Sequence, residues 1–190
     1  MRPTTLQDAG WRRAIWPGMV VVAGAALTTW FTCITPFVAF GVMAAGTLSR
    51  RDALALTVGG WLANQAVGYG LLHYPWTPSS VAWGVTIGVA AVMATVTAQR
   101  VEGRLAPTRT SLRGLIAFVA AFAVYELVLY AMAASVLGGV GAFAPAVVGQ
   151  VLLVNAATLV GLHGLHQLAS ITGRLRPRRA GAPVASAPIA

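Results

Sequence analysis

The sequence predicts an all-α membrane protein: one bundle of six transmembrane helices with both ends of the chain in the cytoplasm. Of its 190 residues, 57% are hydrophobic and 9% are charged, and the mean hydropathy is +0.75. Soluble domains usually carry about 25% charged residues, so this chain has too little charge to cover a water-facing surface. At roughly 20 residues per span, its length allows about six helices and leaves no room for a soluble catalytic domain.

The positions of the thirteen arginines are the second observation. They form four groups, and the gaps between the groups hold all the apolar sequence. If the chain crosses the membrane and returns within each gap, all the arginines lie on one side of the membrane. By the positive-inside rule, that side is the cytoplasm. The net charge of +9 therefore indicates topology, and we expect no nucleic-acid partner. The groups are Arg2, Arg12 and Arg13; Arg50 and Arg51; Arg100, Arg104, Arg109 and Arg113; and Arg174, Arg176, Arg178 and Arg179.

The first part of the chain predicts a cytoplasmic lead over residues 1–13 and a first span over residues 14–32. The basic lead runs into a long apolar stretch without a cleavage site, which is typical of a retained helix and not of a signal peptide. The second predicted helix, residues 36–49, is short for a full span. A tilted helix, a re-entrant helix, a helix extended into the Arg50 loop and a five-span bundle all stay open.

Four more spans follow, separated by turns. Asp52 is the predicted cap of the third helix, because an aspartate accepts hydrogen bonds from free amides at a helix start. Residues 99–112 are the longest predicted internal loop, and residues 173–190 predict a disordered basic tail in the cytoplasm. The transmembrane domain as a whole covers residues 14–172. The predicted spans are residues 53–73, 80–98, 113–136 and 146–172.

Residues 61–83 form the stretch around which we expect the other helices to gather. It has no charge, yet it carries more aromatic and hydrogen-bonding groups than a lipid-facing segment needs. Four of them recur at every fourth position, which stacks them on one side of a helix. That side must face protein or water. Two prolines then end the helix, so a polar stripe leads into a stiff aromatic loop. The stripe is Trp61, Gln65, Tyr69 and His73, and the loop adds Tyr74 and Trp76.

Glu126 is the only acid within a predicted span. An intramembrane carboxylate costs roughly 2.5 kcal/mol or more and usually faces the bundle interior, so it indicates either a functional group or a protonated side chain that bonds between helices. At about 1.5 Å per residue, Glu126, Gln65 and Asn155 reach a similar height, with Asn64 close by. We predict a polar chamber there, open to the outside. Alternatively, the amides only join helices, at about 0.6 kcal/mol each.

Possible metal ligands are few. His73 at the outer rim and Cys33 in the other outer loop are the candidates for a metal centre such as cobalt, although a lone cysteine is usually an apolar filler. His163 and His166 lack the carboxylate companions of a transition-metal site. Helix packing, with a contact to the helix dipole, is the simpler interpretation for them.

Catalytic signatures are missing from the sequence. It contains no GxSxG, HExxH or Walker loop and no second intramembrane acid, so we expect neither enzymatic activity nor a resident cofactor. A site for a small-molecule solute within the lipid bilayer is the leading hypothesis. A membrane assembly or scaffold protein is the second, and a cobalt or nickel type permease using His73, His163 and His166 is the third.

Two segments carry a resemblance to a known family. Residues 35–54, TPFVAFGVMAAGTLSRRDAL, and residues 64–84, NQAVGYGLLHYPWTPSSVAWG, together with six short helices in 190 residues, resemble the substrate-binding S components of energy-coupling-factor vitamin transporters. Within these, the segments are most similar to the BtuM-type solitary cobalamin transporters. The resemblance implies a bacterial inner-membrane protein that binds cobalamin or another corrinoid in the outer half of the bundle.

The resemblance also implies release of the vitamin inward by reorientation in the bilayer, with or without a separate ATPase and T-component module. In this family a cysteine in the loop after the third helix can ligate cobalt. Residues 74–80 hold no cysteine, so only His73 or Cys33 could replace it. The expected solute-binding residues are Trp61, Asn64, Gln65, Tyr69, His73, Tyr74, Trp76, Glu126 and Asn155.

Overall fold

A computed structural model describes residues 35–105 and 110–171, and all regular secondary structure in these ranges is helical. The predicted all-α fold is therefore confirmed for this part of the chain. In chain order the elements are α1 (Phe37–Thr47), α2 (Arg50–Ala66) with a π-helical turn (Val67–Leu71), α3 (Pro78–Arg104), α4 (Thr110–Met132) with a second π-helical turn (Ala133–Leu137), a 3₁₀ turn (Val140–Phe143) and α5 (Pro145–Ile171).

Within the described residues, three helices are long and apolar enough to cross a membrane. They are Pro78–Arg104, Thr110–Leu137 and Pro145–Leu168, and each exceeds the roughly 20 residues that a bilayer requires. The protein is accordingly a helical membrane protein. The predicted first span, residues 14–32, lies outside the described residues together with residues 1–13 and 173–190, so six spans and their topology stay a prediction.

Helix α1 forms the centre of the bundle. It contacts α2, α3, α4 and α5, and every residue from Phe37 to Ala44 is buried. A helix that is apolar all round belongs in a core. With 11 residues it is about 16 Å long, so the expectation of a short second helix is confirmed. Among the described helices, α1 alone makes extensive contacts with all the others, so this part of the bundle is organised around α1 and not, as predicted, around residues 61–83.

Small side chains bring the helices close together. Helices α3 and α4 contact each other and both carry alanines with no exposed surface, and small residues allow helices to approach closely in membranes. At Gly41 of α1, an added Cβ atom would lie 2.4 Å from Thr95 Oγ1 of α3, so only glycine fits there. The buried alanines are Ala90, Ala91, Ala94 and Ala98 of α3 and Ala117 and Ala121 of α4.

Ser49, and not Asp52, is the cap of α2. Its Oγ accepts a hydrogen bond from Asp52 N (3.2 Å) and donates one to Asp52 Oδ2 (2.7 Å). Ser49 and Asp52 occupy the N-cap and the third helical position, as in a capping box, but the carboxylate here accepts from the Ser49 hydroxyl and not from the Ser49 backbone amide. The prediction placed the cap three residues late because it treated Arg50 and Arg51 as loop, whereas both are helical.

The predicted loop over residues 99–112 is mostly wrong, because α3 continues to Arg104 and α4 already begins at Thr110.

Two contacts hold these helix ends in place. Gln99 Nε2 donates to Arg50 O at 3.0 Å, and Arg113 Nε pairs with Glu102 Oε2 at 2.5 Å. The start of α2, the end of α3 and the start of α4 therefore meet, and they bring Arg50, Arg51, Arg100, Arg104 and Arg113 together. We call this the arginine end of the bundle.

Candidate functional site

The polar stripe of α2 faces α3. Trp61 Nε1 donates to the carbonyl oxygen of Gly84 at 2.8 Å, and its ring lies over Gly88, where an added Cβ would come within 2.7 Å. Gln65 Oε1 lies 2.6 Å from the corresponding Cβ position at Gly84. The two glycines are one helical turn apart, so each provides the gap that one large polar side chain fills. The prediction that this side of the helix faces protein is confirmed for these residues.

The same interface continues in both directions along α2. Toward the turn after α2, the Tyr69 hydroxyl lies 3.0 Å from Ser80 Oγ. Toward the arginine end, Thr57 Oγ1 lies 2.9 Å from Thr95 Oγ1. Four-residue steps on α2 thus meet partners along the antiparallel α3, and much of the stripe's polarity is used to join two helices.

His73 leaves the stripe, which corrects its predicted position one turn after Tyr69. After Ala66 the helix widens into the π-helical turn, and it ends at Leu72. His73 then has a φ of 54° and is exposed, a left-handed conformation that is uncommon for a residue with a side chain. Tyr74 closes the helix end, since its amide donates to Gly68 O at 3.0 Å.

Three aromatic side chains cluster beyond this turn, and we call them the aromatic shelf: Tyr69, Tyr74 and Trp76. The Tyr69 and Trp76 rings are 4.4 Å apart at their centroids with a tilt of 31°, and Tyr74 meets Tyr69 edge-on at 6.2 Å. Trp76 is nevertheless 78% exposed. The shelf lies at the end of α2 opposite the arginine end, which we call the aromatic end, and it offers an aromatic surface on which a flat ring can stack.

Asn155 on α5 holds the start of α1. It is 1% exposed; its Oδ1 accepts from Ala39 N at 3.1 Å, and its Nδ2 donates to Val151 O at 3.0 Å. A buried helix start needs such a partner, because its first amides have no acceptor within the helix. On the α2 side, Thr35 Oγ1 donates to Asn64 Oδ1 at 2.7 Å. Both predicted amides therefore meet the first residues of the α1 segment and hydrogen-bond within the protein.

Glu126 has a different environment. It is half-buried on α4 next to the buried Tyr125, and Phe122 and Leu129 on the adjoining turns pack against the core. Within residues 35–105 and 110–171, no hydrogen bond or ion pair involves its carboxylate. Unlike Asn155, Glu126 thus keeps an acceptor at the edge of the core that the described side chains do not use.

The depth of these residues follows from the helix lengths. Trp61, Asn155 and Glu126 each lie roughly three helical turns, about 15 Å, inside the aromatic end of their own helices. Helix α1 starts near this level. It therefore does not occupy the centre of the bundle between this level and the aromatic end. The predicted chamber would have to lie in that upper part, and the segment that enters α1 from residue 34 lies outside the described residues.

The metal candidates are not assembled into a site in the described part of the chain. No group of three or more His, Cys, Asp or Glu residues there could hold a metal ion. His163 is exposed and lies 3.3 Å from Gln167 Nε2, whereas His166 is half-buried on the same helix. Cys33 lies outside the described residues.

Sequence reasoning missed the partners of the stripe and both π-helical turns. Gly84 and Gly88, spaced by four residues, were the available signal for a groove on α3. We compared the chain with protein-family models, with curated proteins and with solved structures, and none of them matches it.

Proposed function

We propose that this protein is a bacterial inner-membrane uptake protein that binds a vitamin-type solute, with cobalamin or another corrinoid as the first choice, in the manner of an S component. The observation that supports this most is the aromatic shelf, on which Trp76 stacks against Tyr69 and yet remains 78% exposed. By the positive-inside rule, the arginine end lies on the cytoplasmic side in this proposal. The shelf then faces the outside, where an imported solute arrives.

A corrin is a wide, nearly flat ring with amide groups around its rim. In this proposal the rings of Trp76 and Tyr69 stack on its face, which suits aromatic side chains. The exposed His73 stands beside them and supplies a ring nitrogen, a common metal ligand, toward the cobalt of the solute. Glu126, deeper in the bundle, accepts hydrogen bonds from the amides on the rim.

The remaining expected residues have supporting roles in this proposal. Trp61 and Gln65 fill the glycine gaps of α3, and Asn155 holds α1. They fix the helices that carry the shelf, Asn64 joins α2 to Thr35 before α1, and Tyr74 forms the edge of the shelf. Since the sequence carries no Walker loop, energy for inward release would come from a separate ATPase and T-component module, or uptake proceeds without one.

An assembly or scaffold protein is the second candidate, and one observation favours it. The polar atoms of Trp61 and Asn155 bond within the bundle, as they would in a protein that only packs. Helix α5 also leaves Leu153 and Val160 more than two-thirds exposed, a surface that suits lipid or another membrane protein. For the metal permease, the described residues offer no comparable support.

Growth of a corrinoid-uptake-deficient bacterial strain on limiting cobalamin tests the proposal. We expect the gene to restore growth, and Trp76→Ala to weaken the rescue because it removes the exposed half of the stack. Leu71→Ala is the matched control, since Leu71 is 70% exposed at the same end but lies outside the shelf, and it should rescue like the wild type. Failure of the wild-type protein to rescue, despite normal insertion in the membrane, would contradict uptake and favour the scaffold.

A further inference from the structure

We propose that the arginine end binds the headgroup of an anionic phospholipid between the start of α2 and the end of α3. This inference does not depend on the solute that the aromatic end binds. It follows from the charges and helix ends that meet around Arg50, Arg100 and Arg104.

The arginine end has more positive charge than its own acids neutralise. Among the described residues, five arginines face two acids there, Asp52 and Glu102, which leaves an excess of three positive charges. Glu102 pairs with Arg113, and Asp52 bonds to the Ser49 cap. The other four arginines are exposed, and within the described ranges none of them forms an ion pair.

The arrangement of these arginines is unfavourable unless an anion is present. Arg50 and Arg51 occupy the first turn of α2, where the helix dipole is already positive. Arg100 and Arg104 lie one turn apart on α3, and like charges at this spacing repel. The guanidinium of Arg50 also reaches toward α3, with Nη2 3.9 Å from the position of a Cβ on Gly103. The Arg50 guanidinium thus approaches the turn of α3 that carries Arg100 and Arg104.

The local structure leaves room for a headgroup. The bond from Gln99 Nε2 to Arg50 O fixes the distance between α2 and α3. Gly103 is exposed and has no side chain, so the surface between the arginines stays open. Guanidinium groups bind phosphate oxygens in a bidentate manner. Anionic lipids are the phosphate source that fits best, because this site lies at the ends of membrane helices, and exposed Val89 and Met93 of α3 continue toward the bilayer centre beside the acyl chains.

Lipid binding to the purified, delipidated full-length protein tests this inference. Phosphatidylglycerol, phosphatidylcholine and inorganic phosphate are titrated separately, and affinity is read by native mass spectrometry and by the rise in unfolding temperature. We expect phosphatidylglycerol to bind and stabilise more than phosphatidylcholine. Arg100→Gln/Arg104→Gln should weaken its binding by roughly fivefold for each arginine removed. The matched control is Arg178→Gln/Arg179→Gln, which removes the same charge from the C-terminal segment and should keep wild-type affinity.

The inference is overturned if the control variant loses as much phosphatidylglycerol affinity as the double variant, because that indicates a diffuse charge effect. It is also overturned if inorganic phosphate raises the unfolding temperature as much as phosphatidylglycerol does, because that indicates a site for free anions. A wild-type protein that shows no preference for phosphatidylglycerol over phosphatidylcholine would overturn it as well. Arg50→Gln is a second test of the same site, which still decides the question if the double variant misfolds. It lies on a different helix yet borders the same space, so it must also weaken phosphatidylglycerol binding while its stability in phosphatidylcholine stays that of the wild type.

Discussion

Polar and aromatic side chains in the bundle interior differ from those at the aromatic end in what they contact. In the interior, Asn155 accepts a hydrogen bond from the Ala39 amide, and Trp61 donates one to the Gly84 carbonyl oxygen. At the aromatic end, Trp76 is stacked on one face and 78% exposed, and His73 stands outside the helix at a φ of 54°. A polar residue in a membrane helix is therefore weak evidence of a binding site until its own hydrogen bonds are known.

Glu126 lies between these two classes. It is at about the same depth as Asn155, but its carboxylate has no hydrogen bond within the described residues. If the comparison holds, substitutions in the interior should lower stability, whereas substitutions at Glu126 and on the shelf should lower solute binding.

Asn155→Leu should have the largest effect on stability. It leaves the Ala39 amide buried without a partner, which costs about 1–3 kcal/mol. Thermal unfolding in one detergent is the measurement. Gln150→Leu, which removes an exposed amide from the same helix, should change little. Similar losses in the two variants would mean that Asn155 does not hold α1.

Gly88→Ala should come next. The added Cβ would lie 2.7 Å from the Trp61 ring, and overpacking of this kind costs about 1–3 kcal/mol. At Gly60 on α2 a Cβ would meet no atom within 4 Å, so Gly60→Ala should be neutral, or stabilising by about 0.5–1 kcal/mol. Comparison of the two unfolding temperatures checks the glycine gap, and a destabilising Gly60→Ala with a harmless Gly88→Ala would argue against it.

Thr57→Val should have the smallest effect, about 0.6 kcal/mol, because it removes one hydroxyl contact between helices. Thr57 lies 2.9 Å from Thr95 Oγ1 and also donates to Ala53 O. The control is Thr97→Val, since among the described residues Thr97 bonds only to Met93 O of its own helix. An unfolding temperature for Thr57→Val that equals that of the control would show that the contact between the two hydroxyls does not stabilise the bundle.

Local signals in the sequence predicted most of the fold in the described residues. Long apolar runs and prolines placed α4 and α5 within a few residues of their observed ends. The extension of α3 through Arg104 was missed because charged residues were taken for loop. Those side chains extend the helix instead, and Glu102 and Gln99 make contacts to the neighbouring helices.

The site was harder to predict, because its determinants are far apart in the chain. Asn155 and Ala39 are 116 residues apart, so the sequence could suggest that Asn155 is buried but not what it bonds. The partners of the stripe are two glycines of α3, and which stripe residue meets each glycine depends on how the antiparallel helices α2 and α3 are aligned. The π-helical turn after Ala66 depends on a shift in backbone hydrogen bonds, and without it His73 was wrongly placed on the stripe.

Equilibrium binding of a corrinoid to the purified full-length protein, followed by the visible absorbance of the corrin, tests the central claim most directly. The wild type should bind. Trp76→Ala should bind roughly tenfold more weakly, as expected for loss of an aromatic stack, with an unchanged unfolding temperature. Trp61→Phe, which loses the bond to Gly84 O and part of the ring packed on Gly88, should unfold earlier but keep its affinity. No binding by the wild type, or loss of affinity in Trp61→Phe but not in Trp76→Ala, would contradict the division between a packing interior and a binding aromatic end.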